Sequence, residues 1–223
     1  MWTIVHVDDV HCRMTTAWLA GASGLVGGEL LGLLLADDRT TKIVSVGRRT
    51  LPIEHSKLVQ VKVDFSDAAS FADLPPAESA FSCLGTTLKK AGSPEAFRAV
   101  DHDAVLAFAK AARAKGAHVF VHVSSLGANA GSAQLYMSVK GEVEAALAKL
   151  GFASVYALRP SILDGAREES RPLERVGLAF ARALGPVLGK YRPTPSIAVA
   201  RTMIAKAQEA AQGSHVIEGK AIV

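Results

Sequence analysis

The sequence has little of what secreted, membrane-spanning and nucleic-acid-binding proteins depend on. Two cysteines, Cys12 and Cys83, are too few for a disulfide framework, so we expect a reducing compartment and a cytoplasmic protein. No stretch reaches the roughly 18 apolar residues of a membrane span. The closest, Gly24–Ala36, is interrupted by Glu29. The net charge is only +4 and no run of five basic residues occurs, so nucleic-acid binding is not indicated, although a pocket for an anionic ligand is compatible.

What is present is the composition of an ordinary globular domain, with 49% hydrophobic and 21% charged residues. Residues 1–14 fit poorly with the strand pattern that follows, and they lack the basic and apolar regions of a secretory signal. We interpret them as a loose N-terminal arm or an overhang. Residues 15–223 are long enough for one domain with a full core. We predict no metal site.

Apolar strands alternate with helices along most of the chain, which predicts an α/β fold with a doubly wound parallel sheet. The predicted strands are Thr15–Ala20, Lys42–Val46, Leu58–Val63, Ser79–Leu84, His118–Val123 and Val155–Leu158. Three helices are predicted between these strands: one from the glycine turn to about Ala36, one from Ser93 to Gly116, and one over residues 132–150. A final helix at 196–211 and a strand at 214–218 rejoin this layer. We interpret residues 160–195, with one helix at about Leu173–Leu184, as a small substrate cap.

The first strand runs into a glycine-rich turn that opens a helix, and this context favours a dinucleotide site. Gly21 permits the tight turn, Gly24 lets the backbone approach a pyrophosphate, and Gly27 lets helix and strand pack closely. The helix N-terminus adds free N–H groups and a positive dipole for the phosphates. A structural turn without ligand is the alternative. The other turn residues that we expect at the site are Ser23, Leu25 and Val26.

The end of the second strand indicates which dinucleotide binds. A site for NAD usually has an acidic residue there, which accepts a hydrogen bond from the ribose 2′-hydroxyl. This sequence has Gly47-Arg48-Arg49 instead. A guanidinium can bind a 2′-phosphate through charge-assisted bonds, so NADP(H) is favoured, with Arg48 ahead of Arg49. Alternatively, both arginines simply face water.

The ends of the next two strands supply further cofactor positions. Asp64 ends the third strand, where adenine lies in such folds, and it can accept from the adenine amino group. The end of the fourth strand needs a small residue beside the cofactor. Taken alone, any of these residues is better explained as a turn residue, and Cys83 as a core residue rather than a catalytic thiol. The predicted positions are Asp64, Phe65, Leu84, Gly85 and Thr86.

Tyr136 and Lys140 are four residues apart on a predicted helix, so their side chains share one face. A neighbouring ammonium favours the phenolate, which makes the phenol a usable proton donor and acceptor. Lys140 can also hydrogen-bond the nicotinamide ribose. A serine at the end of the fifth strand, Ser124 or Ser125, would hold the substrate oxygen. A Tyr/Lys pair on a helix surface is the alternative.

Together these motifs resemble the short-chain dehydrogenase/reductase superfamily. The closer similarity is to its atypical branch of Tat-interacting-protein-like oxidoreductases, over roughly residues 15–221. It rests on GASGLVG at 21–27, CLGTT at 83–87, VSSLGAN at 123–129, YMSVKGEVEA at 136–145 and LRPSILDGAREESRP at 158–172.

The resemblance implies an NADPH-binding Rossmann domain with a small C-terminal substrate region. By motif position it implies Ser124 or Ser125, Tyr136 and Lys140 as the catalytic set, and a cofactor-lining turn that includes Pro160 and Ile162. One departure matters: many such dehydrogenases use an asparagine on the helix after strand four, where this chain has Asp101 and His102.

We therefore expect an NADPH-dependent oxidoreductase that reduces a small carbonyl compound, with the tyrosine as proton donor. The alternative of a different class is a non-catalytic regulator that senses NADPH and binds another protein. A nucleotide-sugar epimerase is weaker, because the chain after residue 160 is short for a sugar-nucleotide pocket. The substrate stays open, and we count a homodimer among the possible assemblies.

Overall fold

The computed structural model of the protein describes residues 16–164 and 193–223. Its strands are β1 (Thr16–Ala20), β2 (Lys42–Gly47), β3 (Leu58–Lys62), β4 (Ser79–Ser82), β5 (Val119–Val123), β6 (Ser154–Arg159), β7 (Leu163–Asp164), β8 (Thr194–Pro195) and β9 (Gly213–Glu218). Seven of them form one sheet in the order β3-β2-β1-β4-β5-β6-β9, and every pairing in it is parallel.

Helices cover the two faces of this sheet. They are α1 (Leu25–Ala36), α2 (Leu88–Ala91), α3 (Pro94–Arg98), α4 (Ala104–Ala114), α5 (Leu135–Leu147) and α6 (Ser196–Glu209). A π-helical turn, Ala99–Asp103, joins α3 to α4, and short 3-10 turns lie at Ala68–Phe71 and Gly219–Ala221. Among the described helices, none combines the length and the apolar character needed to cross a bilayer.

The core forms two layers because successive strand residues point to opposite faces of the sheet. In β1, Leu19 packs with α1 and with Met203 of α6 on one face. Its neighbour Trp18 packs on the other face with Phe108 of α4, their ring centroids 6.1 Å apart, and with Leu147 of α5. Both faces are therefore covered, as a doubly wound sheet requires.

The predicted fold class is confirmed, and the predicted strands match within two residues at each end. Two details were wrong. The fourth strand ends at Ser82 rather than Leu84, and the helix expected from Ser93 to Gly116 is interrupted by the π-helical turn. The N-terminal arm and most of the cap, including the helix at 173–184, lie outside the described residues, so the domain division stays a prediction.

The glycine turn after β1 is packed against backbone on two sides. Gly21 has φ +86°, and a Cβ there would lie 2.5 Å from the carbonyl carbon of Cys83. A Cβ on Gly27 would lie 2.1 Å from the Gly21 carbonyl oxygen. Both contacts are with main-chain atoms, which cannot swing away, so the strand-to-helix turn requires glycine at both positions.

Two short strands hold the ends of the chain that enters and leaves the predicted cap. Leu163–Asp164 pairs in parallel with Thr194–Pro195, and the Thr194 amide donates to the Ile162 carbonyl at 2.8 Å. The hydroxyls of Ser161 and Thr194 lie 3.1 Å apart. This pairing fixes both ends beside the carboxyl end of β6.

Two polar side chains lie next to each other on neighbouring central strands. Ser82 of β4 and His122 of β5 face each other in the strand register, and both are fully buried. Burial, and then the positive charge of Lys140, lower the pKa of His122 well below its ordinary value of 6.5. The sheet thus holds a neutral imidazole behind α5.

Gly27→Ala should lower the free energy of unfolding by roughly 3 kcal/mol, because the new methyl group meets backbone that cannot give way. The matched control is Gly32→Ala on the same helix, where no atom lies within 4 Å of the added Cβ. That change should raise stability by about 0.5–1 kcal/mol, since alanine restricts the unfolded chain. Urea unfolding measures both, and equal effects of the two changes would contradict the packing assigned to Gly27.

Because the buried His122 side chain is neutral in the folded protein, we expect the protein to lose stability in mild acid. Below pH 6.5 the unfolded chain protonates this imidazole and the folded chain does not. The free energy of unfolding must therefore fall as the pH is lowered below 6.5, by up to about 1.4 kcal/mol per pH unit for one proton. In His122→Gln, urea unfolding over a series of pH values should show a shallower slope than in the unmodified protein. Exposed His55→Gln is the control, and parallel slopes for the His122 variant and the unmodified protein would refute the prediction.

Candidate active site

The carboxyl ends of β1 to β6 meet at one edge of the parallel sheet, and the predicted site residues follow these ends. Such an edge is where open α/β sheets bind ligands. The order of strands along it places the glycine turn of β1 between the arginines after β2 and the loop after β4.

The glycine turn leaves its backbone open at this edge. Gly24 is exposed, caps α1, and donates from its amide to the Gly21 carbonyl at 3.0 Å. Ser23 is exposed and Leu25 half-buried, whereas the Val26 side chain belongs to the core. Only the backbone of Val26 is thus available to a ligand, beside the unpaired N–H groups of the first turn of α1.

Arg48 and Arg49 follow β2 and are both exposed. Within residues 16–164 and 193–223, neither guanidinium forms an ion pair or a hydrogen bond. A buried acidic partner would have neutralised them. Both are therefore available to an anion at the strand end where a cofactor ribose lies in this fold.

Asp64 is first of all a turn residue. Its Oδ1 accepts from the Ser66 hydroxyl at 2.7 Å and from the Ser66 amide at 2.9 Å, and these bonds lower the pKa of the carboxyl. Phe65 packs edge-on against Phe71 and lines a cavity of about 620 Å³ that runs along α4. Its lining residues do not include Tyr136.

The loop after β4 is joined to the helix beyond it by one carboxylate. Leu84 is half-buried and Gly85 exposed, and the Thr86 amide donates to Asp101 Oδ2 at 2.7 Å. Asp101 lies in the π-helical turn and is fully buried. Asp101 occupies the region where the family resemblance leads us to expect an asparagine.

Tyr136 and Lys140 lie on one face of α5, as predicted, with the Lys140 ammonium 6.0 Å from the centre of the phenol ring. Lys140 is buried and its Nζ lies 2.8 Å from Asp101 Oδ1. The Tyr136 ring rests on buried Phe97, their centroids 5.7 Å apart. In the described part of the chain its hydroxyl has no hydrogen-bond partner.

The two serines after β5 have different surroundings. Ser124 is buried, and its hydroxyl donates to Glu144 of α5. Glu144 in turn accepts from Arg159 at 3.0 and 2.6 Å, and this side-chain bonding raises the pKa of Arg159. Ser125 is half-buried, and within residues 16–164 and 193–223 its hydroxyl makes only a 3.4 Å contact with the Leu126 carbonyl. Ser124 therefore belongs to a charged network, whereas Ser125 is available to a ligand.

Gly141 brings the serine loop against the tyrosine helix. A Cβ there would lie 2.1 Å from the Ala130 amide nitrogen and 2.4 Å from the Asn129 carbonyl carbon. The Asn129 amide donates to the Met137 carbonyl at 3.0 Å across the same contact. The site thus requires a glycine directly after Lys140.

The turn after β6 forms the far wall of the edge. Pro160 is buried and its carbonyl accepts from the Leu126 amide at 3.0 Å, which ties this turn to the serine loop. Ile162 is 63% exposed and projects an apolar side chain beside the predicted cap. Cys83 lies partly buried under the edge, where burial raises the pKa of its thiol to about 12, so it is no nucleophile at neutral pH.

Sequence reasoning missed three features of this site: the Asp101–Lys140 ion pair, the contact at Gly141, and the Ser124–Glu144–Arg159 network. Only Glu144 left a usable signal, since it lies four residues after Lys140 and so near it on the helix. Asp101 was noted only as a departure from an expected asparagine. No local pattern connects it to a lysine on another helix.

Relatives of this chain were found at high coverage, although no family model matches it. It is 43% identical over 182 residues to "Protein fmp52, mitochondrial" of Emericella nidulans, with 78% of each protein covered. It is 34% identical over 221 residues to "Protein HTATIP2" of Rattus norvegicus, with 97% of this chain and 91% of the relative covered.

Solved structures show the same fold at low sequence identity. The protein MoeE5, in complex with UDP-glucose and NAD, superposes with a TM-score of 0.70 and 20% identity, covering 91% of this chain and 75% of that one. A UDP-glucose 4-epimerase from Thermotoga maritima gives a TM-score of 0.70 and 14% identity, covering 93% and 77%.

The names of the relatives contradict one expectation. Low cysteine content favoured a cytoplasmic protein, but several similar fungal proteins, including one from Candida albicans that is 33% identical, are named as mitochondrial. The expectation failed because a low cysteine count reports a reducing environment and does not distinguish between reducing compartments.

The family follows from the identity and coverage of two relatives, together with the fold. Two relatives exceed 30% identity over more than two thirds of the chain, and the sheet order and glycine turn are those of the NAD(P)-binding, oxidoreductase-like fold. The chain belongs to the atypical short-chain dehydrogenase/reductases of the HTATIP2 and Fmp52 type.

Proposed function

We propose that this protein is an NADPH-dependent oxidoreductase that reduces a small carbonyl compound, with Tyr136 as proton donor. The observation that supports it best is that a phenol without a hydrogen-bond partner among the described residues shares one face of α5 with a buried ammonium, at the edge where the glycine turn opens. A protein that only sensed the nucleotide would have no physical need of a proton donor there.

The residues at this edge fit a dinucleotide phosphate. The turn from Gly21 to Gly27 exposes backbone and the first turn of α1, which suit a pyrophosphate. Arg48, with Arg49 beside it, offers an unneutralised guanidinium to a ribose 2′-phosphate. Asp64 and Phe65 would lie against the adenine, and Leu84, Gly85, Pro160 and Ile162 would line the remainder. When bound, NADPH supplies a hydride.

The proton chemistry rests on three side chains. Ser125 would donate a hydrogen bond to the substrate oxygen, because the one contact of its hydroxyl in the described part of the chain is a weak 3.4 Å contact with backbone. The Tyr136 hydroxyl would give its proton to that oxygen, and the Lys140 ammonium would stabilise the phenolate left behind. Ser124 is not proposed for this role, since its hydroxyl is taken by Glu144.

Arg48→Ala should weaken NADPH binding by about 10- to 100-fold, the loss expected for a charge-assisted hydrogen bond to phosphate. NADH binding should change by less than about twofold, because NADH lacks that phosphate. Titration of the cofactor fluorescence measures both, and Arg49→Ala, tested alongside, should weaken NADPH binding less than Arg48→Ala does. An equal loss for NADPH and NADH would remove Arg48 from this role.

Tyr136→Phe should lower kcat by about 10²- to 10⁴-fold, the usual contribution of a positioned acid, with NADPH affinity nearly unchanged. Ser125→Ala should also lower kcat, whereas Ser124→Ala should mainly lower stability, by about 1.5–3 kcal/mol, through the lost bond to Glu144. NADPH absorbance during a screen of carbonyl compounds gives the rates.

Two outcomes of that screen would contradict the proposal. Undiminished turnover in Tyr136→Phe would dismiss the phenol as proton donor. Tight NADPH binding with no turnover of any carbonyl tested would favour the regulatory alternative, in which the cofactor alters contacts with another protein.

A further inference from the structure

Asp101 is a carboxylate without exposed surface in the π-helical turn between α3 and α4. Its two oxygens have different partners: Oδ1 lies 2.8 Å from Lys140 Nζ, and Oδ2 accepts from the Thr86 amide at 2.7 Å. One side chain therefore fixes both the loop after β4 and the lysine of α5. The π-helical turn is what aims it there, and such turns are frequent at functional sites.

The ion pair lies directly behind Gly85. A Cβ on Gly85 would be 3.4 Å from Asp101 Oδ1 and 3.6 Å from Lys140 Nζ. The ion pair thus lies against Gly85 at the carboxyl ends of the strands, and only this backbone separates it from the place where the cofactor is proposed to bind. Movement of the Asp101 carboxylate would displace Lys140 and the Thr86 amide together.

The charges around Lys140 are nearly balanced. Asp101 faces it from the π-helical turn, His122 faces it from β5 as a neutral imidazole, and Tyr136 lies one turn away on its own helix. Buried charges are weakly screened, so the carboxylate cancels much of the field that the ammonium exerts on the phenol. An asparagine of the same shape would leave that field uncompensated.

We propose that Asp101 is a positioning residue of this site: it holds Lys140 and the Thr86 loop in place, and its negative charge sets the pH range in which Tyr136 transfers a proton. This inference rests on the proposed reductase function for its catalytic meaning. It rests for its geometry on the contacts of Asp101 alone.

The test is Asp101→Asn, which keeps the shape and can still accept from the Thr86 amide but removes the charge. The midpoint of the pH profile of kcat/KM should move downward by about one pH unit, because Lys140 then favours the phenolate more strongly. The control is Asp103→Asn, which removes the same charge from a side chain that is 65% exposed and faces His102. Its midpoint should not move.

A purely structural role gives a different result. Loss of packing would lower kcat at every pH and leave the midpoint in place, and that outcome, like an upward shift, overturns the proposal. If Asp101→Asn folds poorly, the double variant Asp101→Asn with Lys140→Met replaces the ion pair by two neutral side chains. In a Lys140→Met background, Asp101→Asn should cause no further fall in kcat. A further fall shows that Asp101 does not act through Lys140.

A second readout needs no turnover. The phenolate absorbance of the unmodified protein minus that of Tyr136→Phe reports the ionisation of Tyr136 alone. The same difference in the Asp101→Asn background should have its midpoint about one pH unit lower. A shifted midpoint in a protein that reduces no carbonyl compound would refute the reductase function and leave the role of Asp101 standing. An unshifted midpoint refutes that role whatever the turnover.

Discussion

A buried carboxylate and a buried ammonium meet at 2.8 Å where two helices and a strand end converge, and the geometry of the site depends on this contact. An isolated buried charge costs several kcal/mol, and each of these two groups offsets part of that cost for the other. Through Asp101, this ion pair connects α5, which bears the phenol, to the loop that borders the glycine turn.

Other contacts around this ion pair position α5 and the serine loop. The Ser124–Glu144–Arg159 network joins α5 to the ends of β5 and β6, while Gly141 allows the serine loop to touch the helix backbone. These contacts hold Tyr136 against Phe97 and leave its hydroxyl without a partner in the described residues. Rigid support around such a phenol is the arrangement that the proposed proton transfer requires.

The sequence was informative wherever the cause of a structure is local. Strand-helix alternation, the glycines from Gly21 to Gly27 and the four-residue spacing of Tyr136 and Lys140 are short-range patterns. The alternation was confirmed, and the glycine turn and the helix face lie where the sequence predicts them, while the roles of these residues stay predictions. The partner of Asp101 lies on another helix, and no periodicity predicts such a contact. The choice between Ser124 and Ser125 likewise needed the position of Glu144, which only the packed helix supplies.

The short pairing of Leu163–Asp164 with Thr194–Pro195 has a consequence for how the family can diversify. Because the two strands that flank residues 165–193 pair with each other, the entropy of closing the connection between them changes only slowly with its length. The seven-stranded sheet lies outside this connection. Relatives with this fold can therefore differ in the length of that connection while they keep the same parallel sheet.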